Sequence, residues 1–194
     1  MIGSGLPKRK NIRLSGYDYS QNGAYFITIC TKDKNQTFGD IAVGAAALGG
    51  PRITLSHYGQ IAERYIKSIN EVYQGISVPV YCIMPNHVHF IVVIDVQTEC
   101  KDGSPSAATP TDNGLPLRTD VAQTGCESGS PSAATPTIPK IVNSLKTLAT
   151  KEAGQPIWQR GYYEHIIRNE QDYLDIWNYI ETNAVKWAED KYYL

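Results

Sequence analysis

The stretch Met84-Pro-Asn-His-Val-His-Phe-Ile-Val-Val-Ile94 decides how this chain folds. Residues 87–94 are rich in β-branched and aromatic side chains and read as a strand. Pro85-Asn86 separates that strand from an earlier one, read over 78–84. Alternate side chains of a strand share a face, so His87 and His89 point one way and Val88 the other. The apolar residues that follow keep both imidazoles at an edge of the core rather than far out in solvent.

Upstream, residues 25–31 (Tyr-Phe-Ile-Thr-Ile-Cys-Thr) read as another strand. Two short strands follow near 38–43 and 52–55, joined by a Gly/Ala-rich loop at 44–50. Residues 57–73 place Ile61, Tyr65, Ile69 and Val72 at helical spacing. Downstream, 138–152 reads as a helix with Ile138, Ile141, Val142, Leu145 and Leu148 inward. Residues 157–167 read as a strand, and 169–190 as a long last helix with Asn169 as its N-cap. The order is β, hairpin, α, β, β, α, β, α. It predicts a single α+β domain over 1–194, with a mainly antiparallel sheet and helices packed on one face.

Residues 95–137 differ in kind. Gly-Ser-Pro-Ser-Ala-Ala-Thr-Pro-Thr stands at 103–111 and again at 129–137, an offset of 26 residues that marks a local tandem duplication. The composition predicts a flexible insertion without activity of its own.

Composition bounds the rest. At 194 residues and 42% hydrophobic the chain has enough apolar surface to fold. It has no apolar run long enough to span a membrane, and Met1–Lys10 lacks the apolar centre of a signal peptide. Cys30, Cys82, Cys100 and Cys126 have no CxxC spacing and read as free thiols in a reducing cytosol. The net charge is −1, but the 95–137 segment sets six acids against two bases, which leaves the remainder at +3. That balance is mildly basic and does not by itself point to nucleic acid.

The residues that could carry chemistry are few. The paired imidazoles of His87 and His89 could bind one metal ion, though a lone His-x-His is more often incidental. Tyr179 and Asn183 stand at i and i+4 on the last helix and share a face. A phenol becomes a useful nucleophile when a metal assists, and the Asn183 amide oxygen could serve as a third ligand. A mixed imidazole and oxygen set suits Mg²⁺ or Mn²⁺. Taken alone, Tyr179 reads more simply as one of 13 tyrosines packing an aromatic-rich helix. Trp158, Arg160, Tyr163, His165 and Arg168 lie in a polar and aromatic cluster that suits single-stranded nucleic acid. A sheet edge with satisfied polar groups explains that cluster equally well. Lys8, Arg9, Lys10 and Arg13 form a basic arm that reads either as a phosphate contact or as a solvated tail.

Three stretches in order change the weighing: Met84–Phe90, Ile157-Trp-Gln-Arg-Gly-Tyr-Tyr-Glu-His-Ile-Ile-Arg-Asn169, and Tyr179-Ile-Glu-Thr-Asn-Ala-Val-Lys-Trp187. Together they resemble the single-tyrosine HUH transposases, most closely the REP-associated tyrosine transposase branch. The opening Arg13–Thr31 is similar to that branch as well. The resemblance implies a ferredoxin-like sheet of the HUH endonuclease type, with His87, His89 and Asn183 as metal ligands and Tyr179 as nucleophile. It implies an enzyme that nicks and rejoins single-stranded DNA at hairpin-forming repeats through a 5′-phosphotyrosine intermediate, with Mg²⁺ or Mn²⁺. A protein of that kind works in the cytoplasm, on the nucleoid when bound to DNA. The resemblance leaves homodimer and monomer both open. Where the family commonly has Asn-Pro, this chain has Asn183-Ala184. Three rival readings stand beside it: a palindrome-binding protein that does not nick, an unrelated metal-dependent hydrolase with a water nucleophile, and a structural protein with no site.

Overall fold

A computed structural model describes residues 16–42, 52–96 and 136–187. The basic arm, the 44–50 loop, the duplicated segment up to residue 135 and residues 188–194 lie outside the described residues. The elements run in the order β1 (Gly23–Cys30), β2 (Gly39–Ala42), β3 (Arg52–Leu55), α1 (His57–Val72), β4 (Ile76–Ser77), β5 (Tyr81–Met84), β6 (His87–Ile94), α2 (Ile138–Ala153), β7 (Tyr163–Ile167) and α3 (Glu170–Thr182).

The main sheet is antiparallel throughout. β6 and β1 lie at its centre, β7 flanks β1, and β4 and β5 pair in turn with the other side of β6. That is the ferredoxin-like order. β2 and β3 form a separate two-stranded ribbon, the expected hairpin. The two central strands are buried on both faces. Tyr25, Ile27 and Ile29 of β1 join Val88, Phe90, Val92 and Ile94 of β6 under α1 and α2. Ala24, Phe26 and Ile91 point the other way, toward Ile180 of α3.

The α+β antiparallel class therefore stands, with one correction: the helices do not all pack on one face. α1 and α2 cover one side and α3 the other. The physical reason is the apolar character of both parities of β1 and β6, which demands a cover on each side.

Local signals explain most boundaries. Ser56 caps α1, accepting from Gly59 N at 3.1 Å and donating to Thr37 O at 2.7 Å. Thr137 caps α2, which stops at Gly154 in the left-handed conformation, φ 68°. Asn169 caps α3 as expected, accepting from Asp172 N at 2.8 Å.

Four expectations shift. The 78–84 strand shortens to β5, starting at Tyr81, and the two-residue β4 precedes it, because Pro79 has no N–H and Val78 N turns to Asn70 Oδ1 at 2.6 Å. The 157–167 strand shortens to β7. Gly161, at φ 81°, turns the chain, and Lys146 Nζ ties the Gln159 and Gly161 carbonyls at 2.7 and 2.9 Å. α3 ends at Thr182, whose hydroxyl donates to Asn178 O at 2.7 Å, and tight turns carry the chain on to Trp187. Leu148 and Val72 are exposed (47% and 67%). Leu148 stands at the margin of its helical stripe, where Ala149 is buried instead, and Val72 is the last residue of α1.

Candidate active site

The site lies on the α3 side of the sheet. In an antiparallel ladder, residues directly opposite share a face. Thr28 pairs with His89, and Cys30 with His87, so the imidazoles and the Thr28 hydroxyl face the same way. On its other side Thr28 pairs with Tyr163, and Phe26 with His165.

Both imidazoles are buried, with ring centroids 4.4 Å apart. Each is fixed at Nδ1. His87 Nδ1 donates to Asn86 Oδ1 at 2.8 Å, and His89 Nδ1 hydrogen-bonds Thr28 Oγ1 at 2.8 Å. The Pro85-Asn86 turn is held in its turn by β1 and by the start of the ribbon. Thr31 N and Oγ1 donate to Asn86 O at 2.9 and 3.0 Å, and Phe38 N donates to Pro85 O at 2.9 Å. The break that marked this strand in the sequence is thus a rigid seat for the first histidine.

α3 brings Tyr179 to the pair. Its hydroxyl lies 3.2 Å from His89 Nε2. Phe26 stacks on His89, centroids 5.3 Å apart, and meets Tyr179 edge-on at 6.1 Å. Asn183 is the C-cap of α3 and is buried. Four residues on, Trp187 reaches the His87 ring at 6.0 Å. Asn183 therefore sits on the chain between a residue touching His89 and a residue touching His87. Among the described residues, no three or more His, Cys, Asp or Glu side chains are grouped to hold a metal ion.

The nucleic-acid cluster does not stay together. Tyr163 lies on the site's face, is 39% exposed and meets Phe26 edge-on at 6.3 Å. His165, on the same face, pairs with Asp172 of α3 at 2.9 Å, tying β7 to the first turn of that helix. Arg160 and Arg168 are exposed. Trp158 departs from expectation: it is 7% exposed and packs against Phe38 in the core under α1 and α2, centroids 4.8 Å apart, so its ring offers no surface for a base. A bridge to Thr31 places it there. Sequence reasoning missed Thr28, Phe26 and Asn86 as supports of the histidines. Only the cross-strand register brings the first two to the site.

This fold has a solved counterpart. The chain superposes on the structure of a REP-associated tyrosine transposase bound to a REP hairpin, with a TM-score of 0.53 and 19% identity, over 92% of this chain and 77% of that one. The likeness establishes a shared fold. No family model matches the chain. In sequence it is 34% identical over 196 residues to a Haemophilus influenzae protein described as uncharacterized, covering 98% of this chain and 96% of that protein. The chain belongs to the family of that protein. It is also 22% identical over 169 residues, 87% of this chain and 74% of the other, to a Haemophilus influenzae protein named as a REP-associated tyrosine transposase.

Proposed function

We propose that the chain is a metal-dependent nickase and strand transferase acting on single-stranded, hairpin-forming repeat DNA, with Tyr179 as nucleophile. The observation that carries this reading is the meeting of Tyr179 with the histidine pair, its hydroxyl 3.2 Å from His89 Nε2. One strand and one helix supply the three residues, within a fold shared with a REP-associated tyrosine transposase whose structure is bound to a REP hairpin.

His87, His89 and Asn183 are the proposed ligands of Mg²⁺ or Mn²⁺. Their chemistry fits: two imidazole nitrogens and an amide oxygen form a mixed set suited to such ions. The fixed Nδ1 atoms fit as well, because a partner on one ring nitrogen orients the other toward a metal. When bound, the ion polarises the scissile phosphate and stabilises the charge that builds there.

The chain's own residues do the rest. Tyr179 Oη attacks phosphorus; the new O–P bond forms as the bond to the 3′ oxygen breaks. The phenol proton leaves to solvent, and the departing oxygen takes up a proton as a 3′-hydroxyl. A 5′-phosphotyrosine results, and a 3′-hydroxyl later reverses the step. The number of phosphodiester bonds is conserved, so the cycle needs no nucleotide. Tyr163, exposed on the same face, is a stacking surface for an adjacent base, and Arg160 and Arg168 are cations for the backbone.

The test is a denaturing gel of purified protein with labelled hairpin DNA and Mn²⁺. The wild type should give a covalent adduct that survives denaturation, and Tyr179→Phe none. Binding without an adduct would favour a palindrome-binding protein. Cleavage that persists in Tyr179→Phe would favour a hydrolase with a water nucleophile.

A further inference from the structure

His89 is held on both sides of its ring. Nδ1 meets the Thr28 hydroxyl at 2.8 Å, and Nε2 meets the Tyr179 hydroxyl at 3.2 Å. An imidazole nitrogen has one in-plane position. It either carries a proton or offers a lone pair, and a lone pair serves one partner at a time. If Nδ1 donates to Thr28, Nε2 accepts from the phenol. If Nδ1 accepts from Thr28, Nε2 donates to the phenol oxygen. In either tautomer the in-plane position of Nε2 is taken by Tyr179. Turning the ring to present Nδ1 offers no escape, because that position belongs to Thr28. The Phe26 ring, stacked on His89 and edge-on to Tyr179, holds the two rings in this arrangement.

We infer that the Tyr179 hydroxyl and a divalent cation compete for His89 Nε2, so that this contact is a resting clasp which metal binding opens. The inference rests on the function proposed above. It adds that loading of the ion and release of the nucleophile are one event. Without metal, the phenol is fastened to a ligand and unavailable for attack. With metal, it leaves Nε2 and lies next to the ion. A movement of Tyr179 alone satisfies this, since Thr28 keeps its bond to Nδ1 throughout.

The experiment measures Mn²⁺ binding to the DNA-free full chain by electron paramagnetic resonance of the free ion, for wild type, Tyr179→Phe and His89→Ala. Circular dichroism checks that each is folded. Loss of the phenol removes the competitor, so Tyr179→Phe should bind Mn²⁺ about threefold to tenfold more tightly than wild type, the worth of one hydrogen bond. His89→Ala should lose most of the affinity. Equal or weaker binding by Tyr179→Phe overturns the clasp, while a wild-type adduct in the gel assay would still uphold the proposed chemistry. Absence of Mn²⁺ binding in both wild type and Tyr179→Phe overturns the clasp and the metal site together.

Discussion

At the scale of single residues, the candidate site rests on side chains that hold its histidines in place. Thr28 is the clearest case. It is buried, shares a face with His89 and fixes its Nδ1. Thr28→Val keeps the shape and deletes the hydroxyl. If His89 is a ligand as proposed, the variant should fold and should bind Mn²⁺ about 10- to 100-fold more weakly, the usual cost of removing the partner of a ligating histidine, as read by the same resonance titration. Unchanged affinity would show that Thr28 serves packing alone. The shared face of the histidine pair was legible in the sequence because strand periodicity is a local rule. Thr28 was not, since its role exists only once β1 is placed in register beside β6. Trp158 was misread for a related reason: an aromatic residue in a polar cluster suits a base or a core equally, and only burial decides.

At the scale of elements, α1 is seated by a close approach rather than by its apolar stripe alone. A Cβ on Gly59 would lie 2.1 Å from Phe38 O, a backbone atom that cannot swing aside. Gly59→Ala should cost about 1–3 kcal/mol in urea denaturation, as overpacking does, with the helix pushed off the ribbon that Ser56 joins to it. A variant as stable as wild type would mean that the ribbon yields freely. The type and order of the elements could be read from periodicity and caps. Their ends could not, where side chains compete with the backbone. Thr182, the last residue of α3, turns its hydroxyl to Asn178 O, and Asn70 draws Val78 N out of the ladder. Neither competition is visible in an apolar pattern. The placement of α3 on its own face also escaped the sequence reading, although the two-sided apolar character of β1 and β6 required it.

At the scale of the molecule, the sheet has two differently used faces: α1 and α2 fill one, and α3 brings Tyr179 to the histidine pair on the other. Val96 and Ile138, which flank 97–135 in sequence, are held at one place. Val96 exchanges two hydrogen bonds with Asn22, at 3.0 and 3.2 Å, and Ile138 N donates to Tyr19 O at 3.2 Å, so both ends are tied to the same short turn. Replacing 97–135 by a Gly/Ser linker of about eight residues, a normal length for such a connection, should leave the unfolding midpoint and the adduct yield unchanged. A lost adduct in a folded variant would assign the duplicated segment a role in binding DNA. The row His89, Thr28, Tyr163 runs straight across three strands. Two strand spacings of about 4.8 Å each separate its ends, so the gap between the histidine and the exposed phenol ring is set by the hydrogen-bond ladder. A slip of β7 by two residues would keep every side chain on its own face, yet carry Tyr163 about 6.8 Å along the strand. The Thr31–Trp158 bridge and the His165–Asp172 pair stand on either side of Tyr163 in sequence and pin that edge strand. They hold the alignment of a ruler whose graduations are backbone hydrogen bonds.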